Sequence, residues 1–217
     1  MLERSHPQSR RISFGTFRTA AEPPASAVPA PRRRTVLVLP EGYPEEARLL
    51  FNTAIRAARL LPDHRFILRS HPVLPFSQVE PFLEPGWRRL SHVEPSLQKG
   101  LAEDLSRSSV VFYRGSSSVL WAILHGLKPL YLQHAEGRDV DPLFELEEGW
   151  REHVRSVEQL VQALRRFAHQ EEGGSWADWE QAAVYVRSYV TPVDSASVER
   201  LLEAAGIGQK EMARCIA

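Results

Sequence analysis

Two short clusters carry residue types that could do chemistry. The first is Arg114-Gly115-Ser116-Ser117-Ser118, a polar turn between the apolar run Val110-Val111-Phe112-Tyr113 and the apolar stretch Val119 to Leu124. Gly115 permits a tight turn. Hydroxyls at the start of a helix either cap it, by accepting from its free backbone N–H groups, or join those groups in cradling a phosphate drawn to the positive helix end. Residue types alone leave both readings open. The second cluster is Arg69-Ser70-His71-Pro72, which follows Arg65-Phe66-Ile67-Leu68. Proline keeps the residue before it extended and donates nothing to a ladder, so the His71 imidazole is held at a strand end, as a structural group or as part of a site. The tetrapeptide means little by itself, because Arg4-Ser5-His6-Pro7 repeats it near the start of the chain. Only the copy that follows an apolar strand and precedes the serine turn has a context that could make a site.

The elements that must position these clusters are legible from periodicity. Thr35-Val36-Leu37-Val38-Leu39, Phe66-Ile67-Leu68, Val110 to Tyr113 and Leu130-Tyr131-Leu132 are short continuous apolar runs, the pattern of parallel strands buried on both faces. After the turn Pro40-Glu41-Gly42-Tyr43-Pro44, a helix places Ala47, Leu50, Phe51, Ala54, Ala58 and Leu61 on one face. Gly126 ends the helix after the serine turn, and Lys128-Pro129 leads into the next strand, completing one βαβ unit. Val73 to Pro85 is a proline-rich loop with at most a short helix, Trp87 to Ser91 a short strand, and Leu97 to Leu105 a helix. Asp141-Pro142 opens a helical turn, Glu152-His153-Val154 is an edge strand, and Ser156 with Gln159 forms a capping box for a helix over Val157 to Phe167. Helices over Trp176 to Tyr189 and Ser195 to Ala205 close the chain. Strands alternating with helices predict an α/β fold with a doubly wound parallel sheet, whose ligands sit beyond the carboxyl ends of the strands.

The totals bound the function. The 217 residues carry a formal net charge of zero, which lends no support to nucleic acid as a partner. Cys215 is the single cysteine, so neither a disulfide framework nor Cys/His zinc spacing exists, as expected in a reducing cytosol. No apolar run is long enough to span a bilayer, and the start MLERSHPQSRR lacks the hydrophobic centre of a secretion signal. Residues 1–34 hold seven arginines against Glu3 and Glu22, with a Pro/Ala run, and are expected to be a basic tail or linker. Ile12 to Phe17 has the alternation of a short strand or docking segment. Residues 35–170 are expected to form the α/β domain, and residues 171–217 helices that pack on it or extend from it.

The order of these motifs resembles the C-terminal, Rossmann-like half of GT-B glycosyltransferases: a strand, a Pro-Glu-Gly turn, a long helix, a strand ending in Arg-x-His-Pro, then a strand with a triple-serine turn and a Gly-x-x-Pro strand. It is most similar to the bacterial branch that builds capsule and surface polysaccharide, including CMP-sialic acid and CDP-glycerol transferases. The likeness covers roughly Arg34 to Phe167. It implies a nucleotide-sugar donor as substrate and a cytoplasmic protein, peripheral at the inner membrane. His71 would approach the phosphate or leaving oxygen as the catalytic group, with Ser70 beside it and Pro72 holding the backbone. Ser116, Ser117 and Ser118, with Gly115 and the local N–H groups, would hold phosphates, and Arg69 and Arg114 would offer bidentate contacts. Gly42 would line the cleft because a side chain there would crowd the ligand, and Glu41 would accept a hydroxyl. Each has a structural alternative: the arginines can pair with surface carboxylates, and Glu41 can complement a helix N-terminus. His125, inside the short helix, is expected to be packed or partly exposed. No cofactor or metal is expected, since fixed dipoles and cations can stabilise a leaving phosphate and no Asp-x-Asp pair occurs.

Enzymes of this kind have a second, N-terminal domain that supplies the acceptor site, so a separate acceptor domain is implied as a partner. Two alternatives stay open: a nucleotide-binding module without turnover, and an α/β protein-interaction domain. Deleting Met1 to Pro31 is expected to leave the melting midpoint nearly unchanged, because few buried contacts are expected there. A drop of more than about 5 °C, on the order of 1 kcal/mol for a chain of this size, would show that the arm packs on the fold.

Overall fold

The structure is a computed structural model that describes residues 34–97, 100–134, 140–144, 146, 151–173, 179–190 and 193–206. The Ile12 to Phe17 segment, the tail tetrapeptide and Cys215 lie outside these. Six strands are described, β1 (Thr35–Leu39), β2 (Arg65–Leu68), β3 (Val93–Pro95), β4 (Val110–Tyr113), β5 (Lys128–Leu132) and β6 (Glu152–Val154). They form one sheet in the order β3-β2-β1-β4-β5-β6, and every neighbouring pair is parallel. This is the doubly wound, Rossmann-like arrangement, with the order reversing between β1 and β4.

Helix α1 (Pro44–Leu60) begins with Pro44 in its first turn, where a missing N–H costs nothing, and buries Ala47, Leu50, Phe51, Ala54 and Ala58 as the spacing predicts. The long helix α5 (Val157–Gly173) packs beside α1, and together they cover Val36, Val38, Phe66, Leu68, Phe112, Leu130 and Val154 on one face of the sheet. Leu37, Ile67 and Val111 alternate with these and are fully buried on the other face, where α3 (Leu101–Arg107) and α4 (Val119–Leu124) pack against β1, β4 and β5. Helix α4 ends at Gly126 (φ 74°), with Leu127 N–H donating to Ala122 O at 2.9 Å and Gly126 N–H to Ile123 O at 2.7 Å. The short helix α2 (Phe76–Val79) lies within the proline-rich loop. Helices α6 (Trp179–Tyr189) and α7 (Ser195–Ala204) follow α5, and Asp194 caps α7 by accepting from Ser197 N–H at 2.6 Å. Described residues up to Val186 belong to one compact unit and those from Arg187 onward to another.

Three expectations need correction. Trp87–Arg89 is a 3₁₀ turn and the strand lies later, at Val93–Pro95. Gly86 enters the turn in the left-handed region (φ 75°), and the buried Trp87 stacks edge-on against Phe76 with ring centres 5.8 Å apart, a packing that outweighs strand propensity. The next helix starts at Leu101, after an extended Gly100, and runs to Arg107. The helix opened by Ser156 and Gln159 runs past Phe167 to Gly173. Its capping bond is present, Gln159 N–H to Ser156 Oγ at 3.3 Å, while the Gln159 side chain accepts from Arg155 N–H rather than from Ser156.

At the end of β2, Arg69 donates to Asp104 Oδ2 (2.6 Å), Ser96 Oγ (3.1 Å) and Gly100 O (3.2 Å), tying that strand end to the start of α3. Asp104 is fully buried, and Arg107 lies farther from it, at 3.9 Å. Removing one partner of such a pair strands a buried charge. Arg69→Ala is therefore expected to cost about 3 kcal/mol in denaturant unfolding, part of which returns when Asp104→Ala is added. A double-variant loss equal to the sum of the two single-variant losses would show that the pair is not coupled.

Candidate functional site

Parallel strands leave their carboxyl ends on one rim, and at a reversal of strand order the chain departs to opposite faces. After β1 it turns through Glu41 and Gly42 into α1. After β4 it turns through Arg114 and Gly115 into α4, on the other side of the sheet. The loop after β2 brings His71 to the same rim, since β2 and β4 flank β1.

The loops meet closely. A Cβ added to Gly115 (φ 66°) would lie 1.5 Å from Glu41 Oε1, so the Glu41 carboxylate packs directly on the Gly115 backbone. No other residue offers both the left-handed turn and that space. A Cβ on Gly42 would meet Val73 Cγ2 at 2.8 Å and His71 Nδ1 at 3.0 Å. What Gly42 accommodates is the protein's own histidine loop, which revises the reason expected for that glycine. Glu41, Gly42, His71 and Gly115 thus form one cluster across three strand ends.

The His71 ring is half-buried, and its Nδ1 accepts from Val73 N–H at 3.4 Å. In the neutral ring this bond places the proton on Nε2, which bonds to no described residue. Beside it the buried Ser70 hydroxyl has no hydrogen-bond partner among the described residues. Pro72 is exposed. In the serine turn Ser116 is buried, Ser118 half-buried and Ser117 exposed. Ser118 stands at the N-cap position of α4 without a side-chain capping bond. Backbone carbonyls take up the first turn, Val119 N–H donating to Ser116 O (3.1 Å) and Leu120 N–H to Ser117 O (3.2 Å).

Both expected cations are engaged by carboxylates. Arg69 holds Asp104, as above. Arg114 is buried, with Nε 2.7 Å from Glu46 Oε2 at the start of α1, an ion pair without the angle of a directed hydrogen bond; NH1 also reaches Leu132 O at 3.4 Å. It therefore bridges the reversal, from the first turn of α1 to the end of β5. Burial, then the nearby Glu46 carboxylate, push the Glu41 carboxyl above the usual glutamate range, against the opposing pull of Arg114 and His71.

A buried polar network that the sequence did not suggest ties the end of β4 to the start of β6 through the segment after β5. Tyr113 OH donates to Asp141 Oδ1 (2.8 Å), Leu143 N–H donates to the same oxygen (2.9 Å), and Arg151 pairs with Asp141 Oδ2. Burial, with the Asp141 carboxylate alongside, raises the Tyr113 phenol well above the usual tyrosine range. His125 is partly buried, with Nδ1 2.9 Å from Trp121 O, and takes no part in the cluster. Among the described residues no three His, Cys, Asp or Glu side chains assemble into a metal-ligand group, and no helix is long and apolar enough to cross a membrane.

No protein-family model matches the chain, and no curated protein matches it in sequence. Solved structures do. The chain aligns with a calicheamicin glycosyltransferase at 18% identity and a TM-score of 0.53, over 81% of its own length and 43% of that chain. A kitacinnamycin glycosyltransferase aligns at 15% identity and a TM-score of 0.52, over 90% of this chain and 46% of the other. The pneumococcal O-GlcNAc transferase GtfA, solved in complex with UDP and GlcNAc, aligns at 13% identity and a TM-score of 0.52, over 80% of this chain and 35% of the other. The fold is thus the Rossmann-like α/β fold found within GT-B glycosyltransferases. The chain spans less than half the length of each of these three structures.

The folded protein holds the Glu41 proton more tightly than the unfolded chain does, so ionising Glu41 opposes folding. That penalty is absent below the usual glutamate range, grows as pH rises through the raised value, and is constant above it. Glu41→Gln is expected to raise the unfolding free energy at about pH 7 and to change it little at about pH 4. The same effect at both pH values in denaturant unfolding would contradict the assignment.

Proposed function

We propose that the chain is the donor-binding half of a glycosyltransferase, which takes a nucleotide-activated sugar and works with a separate acceptor domain. The observation that carries this reading is the meeting of the β1, β2 and β4 loops at the reversal of strand order, with the His71 Nε2–H and the Ser70 hydroxyl unpartnered beside it. Its fold, shared with part of several glycosyltransferases, supports it. In this reading the His71 Nε2–H donates to a phosphate oxygen and stabilises charge where it develops as the nucleotide leaves. The Ser117 and Ser118 hydroxyls, with the N–H groups of Gly115 to Ser118, hold the remaining phosphate oxygens. Glu41 accepts a sugar or ribose hydroxyl, and Arg114 fixes the floor of the site through Glu46. The likeness of the His-Pro and serine motifs to capsule and surface-polysaccharide transferases supports surface polysaccharide as the product, made at the cytoplasmic side of the membrane without a metal.

One observation favours a second reading, a module that binds a nucleotide without turning it over. Both guanidiniums suited to a leaving phosphate, Arg69 and Arg114, are occupied by Asp104 and Glu46. Titration calorimetry with CMP, CDP, UDP and GDP tests both. Saturable binding of one of these is expected, weakened about tenfold or more when His71→Ala and Ser117→Ala are combined, as loss of hydrogen bonds to a charged group demands. Absence of saturable binding to all four would overturn both readings. Binding without donor hydrolysis or transfer, even after an acceptor domain is added, would select the second.

A further inference from the structure

A second polar site lies at the far edge of the sheet, two strand positions or about 10 Å beyond β4. A cavity of about 430 Å³ runs along β6 and α5 and takes in no residue of β5. Its volume falls in the lower part of the range of small-molecule sites, about 300–1,000 Å³. Every side chain lining it is charged, an imidazole or an amide: Arg151, His153, Arg155 and Arg166, with Glu152, Gln159 and Gln162. An apolar ligand would gain nothing there.

The guanidiniums are held in place with donors to spare. Arg151 is fixed by Asp141 and by Phe144 O (3.2 Å), and its buried Nε has no hydrogen-bond partner among the described residues. Arg155 is steadied by Nε donating to Gln133 Oε1 at 2.8 Å, and its terminal nitrogens bond to no described residue. Arg166 pairs with Glu152 through one nitrogen. The His153 Nε2 is buried without a hydrogen bond among the described residues, 3.8 Å from Asp141 Oδ2. Among the described residues, and counting Asp141, three guanidiniums face two carboxylates, so this lining is cationic in a chain whose formal charge is zero. Arginine forks held by a first partner and open on the other side match the oxygens of a phosphate.

We propose that this cavity binds a phosphate-bearing anion, independently of the nucleotide site. The ligand class is a di- or monophosphate group, carried either by a soluble molecule or by a lipid headgroup. Inorganic pyrophosphate is the probe, titrated into the full chain. One saturable site is expected, weakened about tenfold or more by R155A/R166A. Both side chains are largely solvent-facing at one end, so the fold should survive their loss, and unchanged unfolding midpoints check this. The His71→Ala, Ser117→Ala chain is expected to keep the affinity. Phosphatidylcholine vesicles containing phosphatidic acid separate the sources. Sedimentation with them, reversed by pyrophosphate, assigns a lipid headgroup; pyrophosphate binding without sedimentation assigns a soluble phosphate. Absence of saturable binding overturns the proposal, and so does binding lost with His71 and Ser117 but retained in R155A/R166A.

Discussion

The parallel pairing of β1 with β4 is the constraint on which the rest of the structure depends. The register sets Leu39 beside Tyr113 at the rim, and from that point the chain must leave in two directions, to α1 on one face and to α4 on the other. A gap opens where two loops diverge from adjacent strands. Here it is partly filled by a direct contact between the Glu41 carboxylate and the Gly115 backbone, which requires a residue without a side chain in the left-handed region. Gly42 makes the matching concession on the other side, where His71 and Val73 approach. The site is thus assembled from backbone geometry first, and its chemistry follows from which side chains that geometry admits.

Charge in this structure is largely used to hold strand ends in place. Arg69 fastens β2 to α3, Arg114 joins α1 to β5 across the reversal, and Arg151 with Asp141 and Tyr113 locks the ends of β4 and β6. Buried charges of this kind are kept only where a partner sits opposite. The consequence is that at the reversal the Arg69 and Arg114 guanidiniums are held by carboxylates, while the His71 Nε2 and the Ser70 hydroxyl bond to no described residue. At this rim burial and the Glu46 carboxylate raise the Glu41 carboxyl above the usual glutamate range.

Much of the fold was legible because parallel strands covered on both faces need unbroken apolar runs. Val36 to Leu39, Phe66 to Leu68, Val110 to Tyr113 and Leu130 to Leu132 are such runs, and Pro44 and Gly126 mark helix boundaries by their backbone limits alone. β3 was misplaced for an equally local reason. Trp87 looks like a strand residue, yet Gly86 and the Phe76 ring draw it into a turn. At the site, sequence order sufficed to bring His71, Gly115 and Glu41 to one rim, since strand ends are shared by topology. The arginine partners were not legible. Glu46, Asp104 and Asp141 lie far along the chain from Arg114, Arg69 and Tyr113, and nothing in a carboxylate's neighbours says which distant cation it faces. Asp104 left one faint trace, an acidic residue beside Leu105 on the inward side of a short helix.

The central claim is that the ends of β1, β2 and β4 form a single ligand site. Amide chemical-shift mapping during titration with each of CDP, UDP and GDP tests it most directly. The account predicts that the signals of Gly42, His71, Gly115 and Ser117 move together along one binding curve. Shifts confined to β3 or β6, or separate curves for the His71 and Ser117 loops, would contradict it.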